Sequence, residues 1–158
     1  MLILKRIFLS LCIFFFSAQM GEALGQPIAI VVNKNNPIED ISPRELTKIF
    51  KKEKLFWPDS TKIYVILREA GSEEKDVALK TIYKMNNQQL KKFWITQIFR
   101  EEITAFPKVL RSDASIKRFI KTVPNAIGFI NANSIDQSVK VLKIDGKLPN
   151  ETGYIIKK

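Results

Sequence analysis

Apolar runs bounded by turn residues recur along the chain and predict the main strands of a buried sheet. The runs at 28–32 and 63–67 are continuous and rich in β-branched residues, and the run at 126–130 has the same character with a glycine in its middle. Continuous apolar runs of this length are typical of strands that are covered on both faces. We therefore expect these three segments to be strands of one sheet.

Weaker strand signals occur in the second half of the chain. The segment 107–110 has the composition of a short strand, and 139–144 reads as a fourth clear strand that ends at an Asp145-Gly146 turn. The tail contains a further candidate, an edge strand at 154–156.

Between the strands, apolar residues recur at spacings of three and four and predict helices. The first helix is expected over Pro43–Phe50, because Ser42 and Glu45 form a capping box with proline at the first helical position. Further helices are expected to begin near three positions: Glu73, Gln88 and Asp113. Alternating strands and helices favour a three-layer α/β domain with a mixed sheet flanked by helices.

The first 25 residues have the pattern of a secretory signal peptide. Lys5 and Arg6 precede an apolar stretch, 7–16, and small residues follow up to Gly25. This order is typical of a cleaved signal, and the apolar stretch is shorter than the roughly 20 residues that span a bilayer. We expect 1–25 to be removed, which leaves 26–158 as one periplasmic domain; an uncleaved anchoring helix is the alternative.

The expected mature domain contains neither histidine nor cysteine. The chain has no histidine, and its single cysteine, Cys12, lies in the signal segment. Ser-His-Asp or Cys-His catalysis, metal binding by imidazole or thiolate, and disulfide formation are therefore excluded for this domain. The sequence also lacks a P-loop, a GxGxxG motif and EF-hand spacing. These features predict a protein that is not an enzyme and needs no metal or cofactor.

A net charge of +10 favours an anionic partner. Nucleic acid is disfavoured, because the lysines are dispersed, most aromatic residues fall on core stripes, and a secreted chain is directed away from cytoplasmic nucleic acid. The basic loop 51–61 contains Trp57, which we expect to close the edge of the core rather than to stack on a ligand.

The junction between the second strand and the following helix is the best candidate for a binding site. Ligands of open α/β sheets sit beyond the carboxyl ends of strands, where helix N-termini present free N–H groups. Arg68 offers a guanidinium, Gly71 allows close backbone approach and Ser72 offers a hydroxyl. Asn33, at the end of the first strand, is the expected companion, because neighbouring strand ends open onto one crevice. Alternatively, Ser72 only caps the helix and Arg68 is a solvated charge.

Three segments together resemble the C-terminal-lobe region of the periplasmic phosphate-binding proteins of ABC transporters. They are IAIVVNKNNPIEDISPRELTKIF with a later WPD in 28–59, REAGS at 68–72, and VPNAIGFI at 123–130. The resemblance implies a type II periplasmic-binding-protein fold, of which this chain would hold a single lobe. It also implies phosphate or another small oxyanion or polar ligand, and an ABC permease or a partner protein that completes the cleft.

At the junction, the resemblance implies that Arg68, Gly71 and Ser72 bind the anion. The family usually continues with Gly and Thr, whereas this chain has Glu73 and Glu74. An acidic side chain in the first helical turn disfavours a neighbouring anion by roughly 0.3 to 1 kcal/mol when exposed. We therefore expect Glu73→Gly with Glu74→Thr to raise oxyanion affinity, and Arg68→Ala to abolish binding.

Two functions follow from these observations. The first is a periplasmic solute-binding-type module that resembles the substrate-binding component of phosphate ABC transporters. The second is a non-transport envelope or protein-interaction module that has lost ligand binding and whose basic surface contacts acidic polymer or lipid headgroups.

Overall fold

The computed structural model describes residues 26–158 and contains a five-stranded mixed sheet. The order across the sheet is β4-β3-β5-β1-β6. These strands are β1 (Ile28–Val32), β3 (Tyr64–Arg68), β4 (Lys108–Leu110), β5 (Ala126–Asn131) and β6 (Lys140–Val141). A separate two-stranded sheet pairs β2 (Asp40–Ile41) with β7 (Lys143–Ile144).

The strands of the main sheet do not all run in the same direction, so their carboxyl ends do not all lie on the same side. β3 is parallel to both of its neighbours, β4 and β5, whereas β1 is antiparallel to β5 and β6. In register, Ile127 of β5 pairs with Val65 on one side and with Val32 on the other. The carboxyl ends of β3 and β5 therefore lie at one edge of the sheet, and the carboxyl end of β1 lies at the opposite edge.

Within 26–158, four α-helices and two short helical turns connect the strands. They are α1 (Pro43–Phe50), α2 (Glu73–Ala78), which continues through a π-helical turn (Leu79–Tyr83), α3 (Asn87–Phe99), α4 (Asp113–Thr122) and a 3₁₀ turn (Ala132–Ser134). The α-helices begin where the sequence supplies N-caps, because a side-chain oxygen of Ser42, Ser72, Asn86 or Ser112 accepts a hydrogen bond from a backbone N–H of the first turn.

Both faces of the sheet are covered, as the continuous apolar runs predicted. On one face, α1, α2, the π-helical turn and α3 pack around Phe50 and Phe129, whose rings lie 5.8 Å apart. On the other face, α4 packs through Ile116 and Ile120. Gly128 allows α4 to lie close to the sheet, because a Cβ at that position would lie only 3.2 Å from Ile116 Cγ2.

The three main strands are confirmed as members of one sheet, with β3 shifted by one residue from the expected 63–67. Trp57 is buried at the edge of the core, as expected, and its Nε1 donates to the carbonyl of Asn125 at 3.1 Å. The predicted signal peptide, 1–25, lies outside the described residues, so its cleavage stays a prediction.

Two strand predictions are wrong in detail. The expected strand 139–144 is divided into β6 and β7, because β6 pairs with β1 whereas β7 pairs with β2 in the separate sheet. The expected edge strand 154–156 is irregular. There, the buried Tyr154 hydroxyl donates to the carbonyl of Ile28 at 2.7 Å, and the N–H of Ile28 donates to the carbonyl of Ile156 at 3.0 Å. These two hydrogen bonds hold the tail against β1 without forming a strand ladder.

Candidate functional site

The junction after β3 has the local geometry that the sequence predicted. Gly71 has φ +86°, a conformation that favours glycine, and it turns the chain from the strand into α2. Ser72 caps α2, because its Oγ accepts from the N–H of Lys75 at 3.2 Å and donates to the carbonyl of Glu69 at 3.1 Å. The Ser72 hydroxyl is thus committed to the turn itself.

The guanidinium of Arg68 is paired with two carboxylates of the same chain. Its Nη2 lies 3.2 Å from Glu74 Oε2, and its Nη1 lies 3.5 Å from Asp113 Oδ1. The three side chains are largely buried, with exposed fractions of 11% for Arg68, 13% for Glu74 and 15% for Asp113. Arg68 is therefore not a solvated surface charge; it joins β3 to the first turns of α2 and α4.

Asn131, at the end of β5, holds both carboxylates in place. Its backbone N–H donates to Asp113 Oδ2 at 3.2 Å, and its side-chain amide lies 3.5 Å from Glu74 Oε1. We call Arg68, Glu74, Asp113 and Asn131 the Arg68 cluster. Two carboxylates face one guanidinium in this cluster, so its net charge is negative.

This charge distribution opposes the binding of a small anion at the junction. Glu73, Glu74 and Asp76 all lie in the first turn of α2, where they already offset the positive end of the helix dipole. An anion that approached Arg68 would compete with Glu74 and Asp113 for the same donors.

The expectation that Asn33 shares a crevice with Arg68 is wrong. It assumed neighbouring parallel strands, but β1 is antiparallel to β5, so Asn33 lies at the opposite edge of the sheet, roughly 13 Å from Arg68 along the strand direction. The Asn33 amide instead donates to the carbonyls of Ile120 and Lys121 at 2.8 and 3.1 Å, where it caps the end of α4.

Sequence reasoning missed three residues at this end of the sheet. Asp113 was noted only as the start of a helix and Asn131 was not noted, because their approach to Arg68 depends on strand order. Lys75 was also missed, although a signal for it exists. It precedes Ala78, Leu79 and Ile82 by three, four and seven residues, which places it on the apolar stripe of its helix.

A basic groove lies between α1 and the π-helical turn, on a different part of the surface. It has a volume of about 710 Å³ and is lined by one carboxylate, Glu53, and by five cations: Arg44, Lys48, Lys51, Lys80 and Lys84. None of these cations forms an ion pair with another residue of 26–158. The positive charge of the groove is therefore available to a partner.

Within 26–158, the structure groups no three His, Cys, Asp or Glu side chains so that they could hold a metal ion. No helix in that part of the chain has the length and apolar character needed to cross a membrane.

The architecture is that of phosphate-binding proteins of known structure. A Clostridium perfringens protein named as a phosphate ABC transporter substrate-binding protein, solved with bound phosphate, is 25% identical with a TM-score of 0.63, over 78% of this chain and 46% of its own. An ABC-type phosphate transport receptor from Vibrio cholerae is 23% identical with a TM-score of 0.63, over 80% and 49% of the two chains. PstS from Borrelia burgdorferi is 19% identical with a TM-score of 0.67, over 85% and 55%.

The chain thus spans about half the length of these solved proteins. The PBP superfamily domain matches residues 22–155, and the chain belongs to that family. Its fold and its domain are those of a solute-binding module.

Proposed function

We propose that this protein is a non-transport module of the cell envelope in which the small-oxyanion site of the junction is closed by the chain's own carboxylates. The observation that carries the proposal is the pairing of Arg68 with Glu74 and Asp113. A phosphate ion would have to displace one of these carboxylates and would meet a net negative cluster. The proposal includes a periplasmic location and a non-enzymatic role, which the signal-like segment 1–25 and the names of the similar proteins support.

Phosphate is expected to leave the wild-type protein unaffected, whereas Glu73→Gly with Glu74→Thr gains phosphate binding. The double variant removes two acidic groups from the first turn of α2 and frees Arg68 Nη2, while Asp113 still neutralises the guanidinium. Titration calorimetry and melting curves with phosphate and sulfate would measure the difference. Ligand at about ten times Kd adds about 1.4 kcal/mol to the stability of the protein that binds it.

A matched control separates the Arg68 pairing from overall charge. Glu73→Gln with Asp76→Asn removes the same number of charges from the same helical turn but leaves Glu74 on Arg68. We expect this control to remain unresponsive to phosphate. Phosphate binding by the wild type at micromolar Kd would contradict the proposal.

A second candidate function is a solute-binding component that carries phosphate or another oxyanion, together with an ABC permease or a partner that completes the cleft. The observation that favours it is the co-location of Arg68, Gly71 and Ser72 at one strand-to-helix junction, in a chain that is 25% identical to a protein solved with phosphate. The phosphate titration distinguishes the two candidates, because only the carrier binds the anion in its wild-type form.

The basic groove is the surface that we assign to contact with the envelope. Its five cations converge from α1 and from the segment that follows α2, and among the residues of 26–158 that line it only Glu53 opposes them. Cations held near an anionic leaflet contribute about 1 kcal/mol each to binding, and this contribution falls as salt screens the charges.

We expect the protein to bind vesicles that contain phosphatidylglycerol, and to bind them less at high salt. Lys48→Gln with Lys80→Gln, one change on each side of the groove, should weaken binding by about tenfold or more. Lys92→Gln with Lys121→Gln removes two exposed cations elsewhere and should have a smaller effect. Co-sedimentation would measure both pairs. Equal losses in the two pairs would show that net charge, not the groove, determines binding.

A further inference from the structure

A second cavity lies between α3 and the β3–β4 side of the sheet, next to the Arg68 cluster. Its volume is about 340 Å³, and its walls include Leu67, Leu90, Trp94 and Phe106. Phe106 is 54% exposed although it is large and apolar. The charged residues that line the cavity are Arg68, Lys75 and Lys91, and no carboxylate lines it within 26–158.

Several hydrogen-bond donors at this cavity have no acceptor among the described residues. Lys75 is 5% exposed and forms neither an ion pair nor a side-chain hydrogen bond with any residue of 26–158; its Nζ lies 5.7 Å from the centre of the Tyr83 ring. The Nε of Arg68 and the Nε1 of Trp94 are buried without a hydrogen-bond partner in the same part of the chain. Buried polar groups are normally hydrogen-bonded, so these donors call for an acceptor.

The aromatic ring beside Lys75 does not meet this need. A cation over a ring is attracted to it, but the ring offers no lone pair to the three N–H donors of an ammonium. The Tyr83 hydroxyl is also engaged, because it donates to the carbonyl of Phe50 at 3.1 Å. Burial without an anionic partner lowers the pKa of Lys75 to about 8, so the Lys75 side chain is still charged in most protein molecules at pH 7.

We infer that this cavity binds a small monocarboxylate with an apolar body. The carboxylate pairs with the Lys75 ammonium, and the apolar body lies against Leu90, Trp94 and Phe106. The combination of apolar walls with a few convergent donors is that of a small-molecule site. This inference concerns a different ligand from phosphate, in a cavity that shares Arg68 with the junction, and it goes beyond the proposed function.

The volume sets the size of the ligand. A cavity of about 150 Å³ accommodates benzene, so about 340 Å³ accommodates an apolar body of about six to ten carbon atoms. Inorganic phosphate and sulfate have no apolar part to cover these walls. A primary amine with an apolar body of the same size would place a second positive charge beside Lys75, which disfavours its binding.

Octanoate is the probe that tests the inference. Titration of the purified protein at pH 7 is expected to give saturable octanoate binding and a higher melting temperature, whereas octylamine gives neither. Lys75→Met keeps the length of the side chain and removes its charge, and it should weaken octanoate binding by about ten- to a hundred-fold. Lys92→Met, on the exposed side of α3, is the matched control and should bind octanoate like the wild type.

Three results would overturn the inference: no saturable octanoate binding by the wild type, equal binding of octylamine, or undiminished octanoate binding by Lys75→Met. Circular dichroism and a melting curve would verify that Lys75→Met is folded, so that a loss of binding is not a loss of structure. Phosphate binding by the wild type would refute the proposed function but leave this inference intact.

Discussion

Replacement of Arg68 by methionine is expected to lower the free energy of unfolding by about 3 to 5 kcal/mol. Breaking a buried ion pair by removing one partner is costly, because the remaining charge is left buried without compensation. Here two carboxylates, Glu74 and Asp113, would be left facing each other across the site of the lost guanidinium. Urea denaturation followed by circular dichroism would measure the change as a shift of the midpoint at unchanged m-value.

Most of the stability that Arg68→Met loses should be recovered when the carboxylates of Glu74 and Asp113 are neutralised as well. Arg68→Met with Glu74→Gln and Asp113→Asn retains polar groups that Asn131 can still contact, and no uncompensated charge remains. An Arg68→Met variant that loses less than about 1 kcal/mol would contradict the prediction, because losses of that size are typical of exposed ion pairs.

This stability effect changes how substitutions at Arg68 are to be interpreted. Arg68 joins β3, α2 and α4, so a variant such as Arg68→Ala would be expected to lose stability whether or not the wild type binds an anion. Substitution of Glu73 and Glu74 is the sharper test of the junction, because it leaves the guanidinium and Asp113 in place.

The sheet was predictable because its strands are covered on both faces. The runs 28–32 and 126–130 need an apolar residue at every position, and each residue of β1 is in fact buried. The helix starts were predictable because N-caps are local signals that a side chain and the following backbone complete between themselves. The position of the tail was not predictable in the same way, because it depends on two long-range hydrogen bonds with Ile28, one from the Tyr154 hydroxyl and one to the carbonyl of Ile156.

The candidate site was only partly predictable, and the reason is strand direction. The motif Arg68-Glu69-Ala70-Gly71-Ser72 is contiguous, so its turn and cap could be inferred from sequence. The residues that decide its chemistry, Asp113 and Asn131, reach Arg68 only because β5 is parallel to β3 and α4 precedes β5. Asn33 was misassigned because a single sequence does not state that β1 is antiparallel.

Lys75→Met is expected to raise the free energy of unfolding at pH 7 by about 3 kcal/mol, roughly 10 °C in melting temperature. Burial lowers the pKa of Lys75 from 10.5 to about 8. Each pKa unit of this difference corresponds to about 1.4 kcal/mol of folding free energy that burial of the charged form costs. Methionine fills the same space and carries no charge, so the penalty disappears.

The pH dependence gives this prediction its sharpest check. Between pH 8 and 10.5 the unfolded wild type keeps the Lys75 proton that the folded protein has released, so the unfolded state binds more protons and stability rises with pH across this window. Below pH 8 both states are protonated and the full penalty is present. The stability advantage of Lys75→Met should therefore be constant below pH 8 and shrink as pH rises towards 10.5. A stability advantage of Lys75→Met that stays constant from pH 8 to 10.5 would contradict the prediction. An advantage that shrinks would show that the chain retains a destabilising charge at the cavity, which a carboxylate ligand would offset.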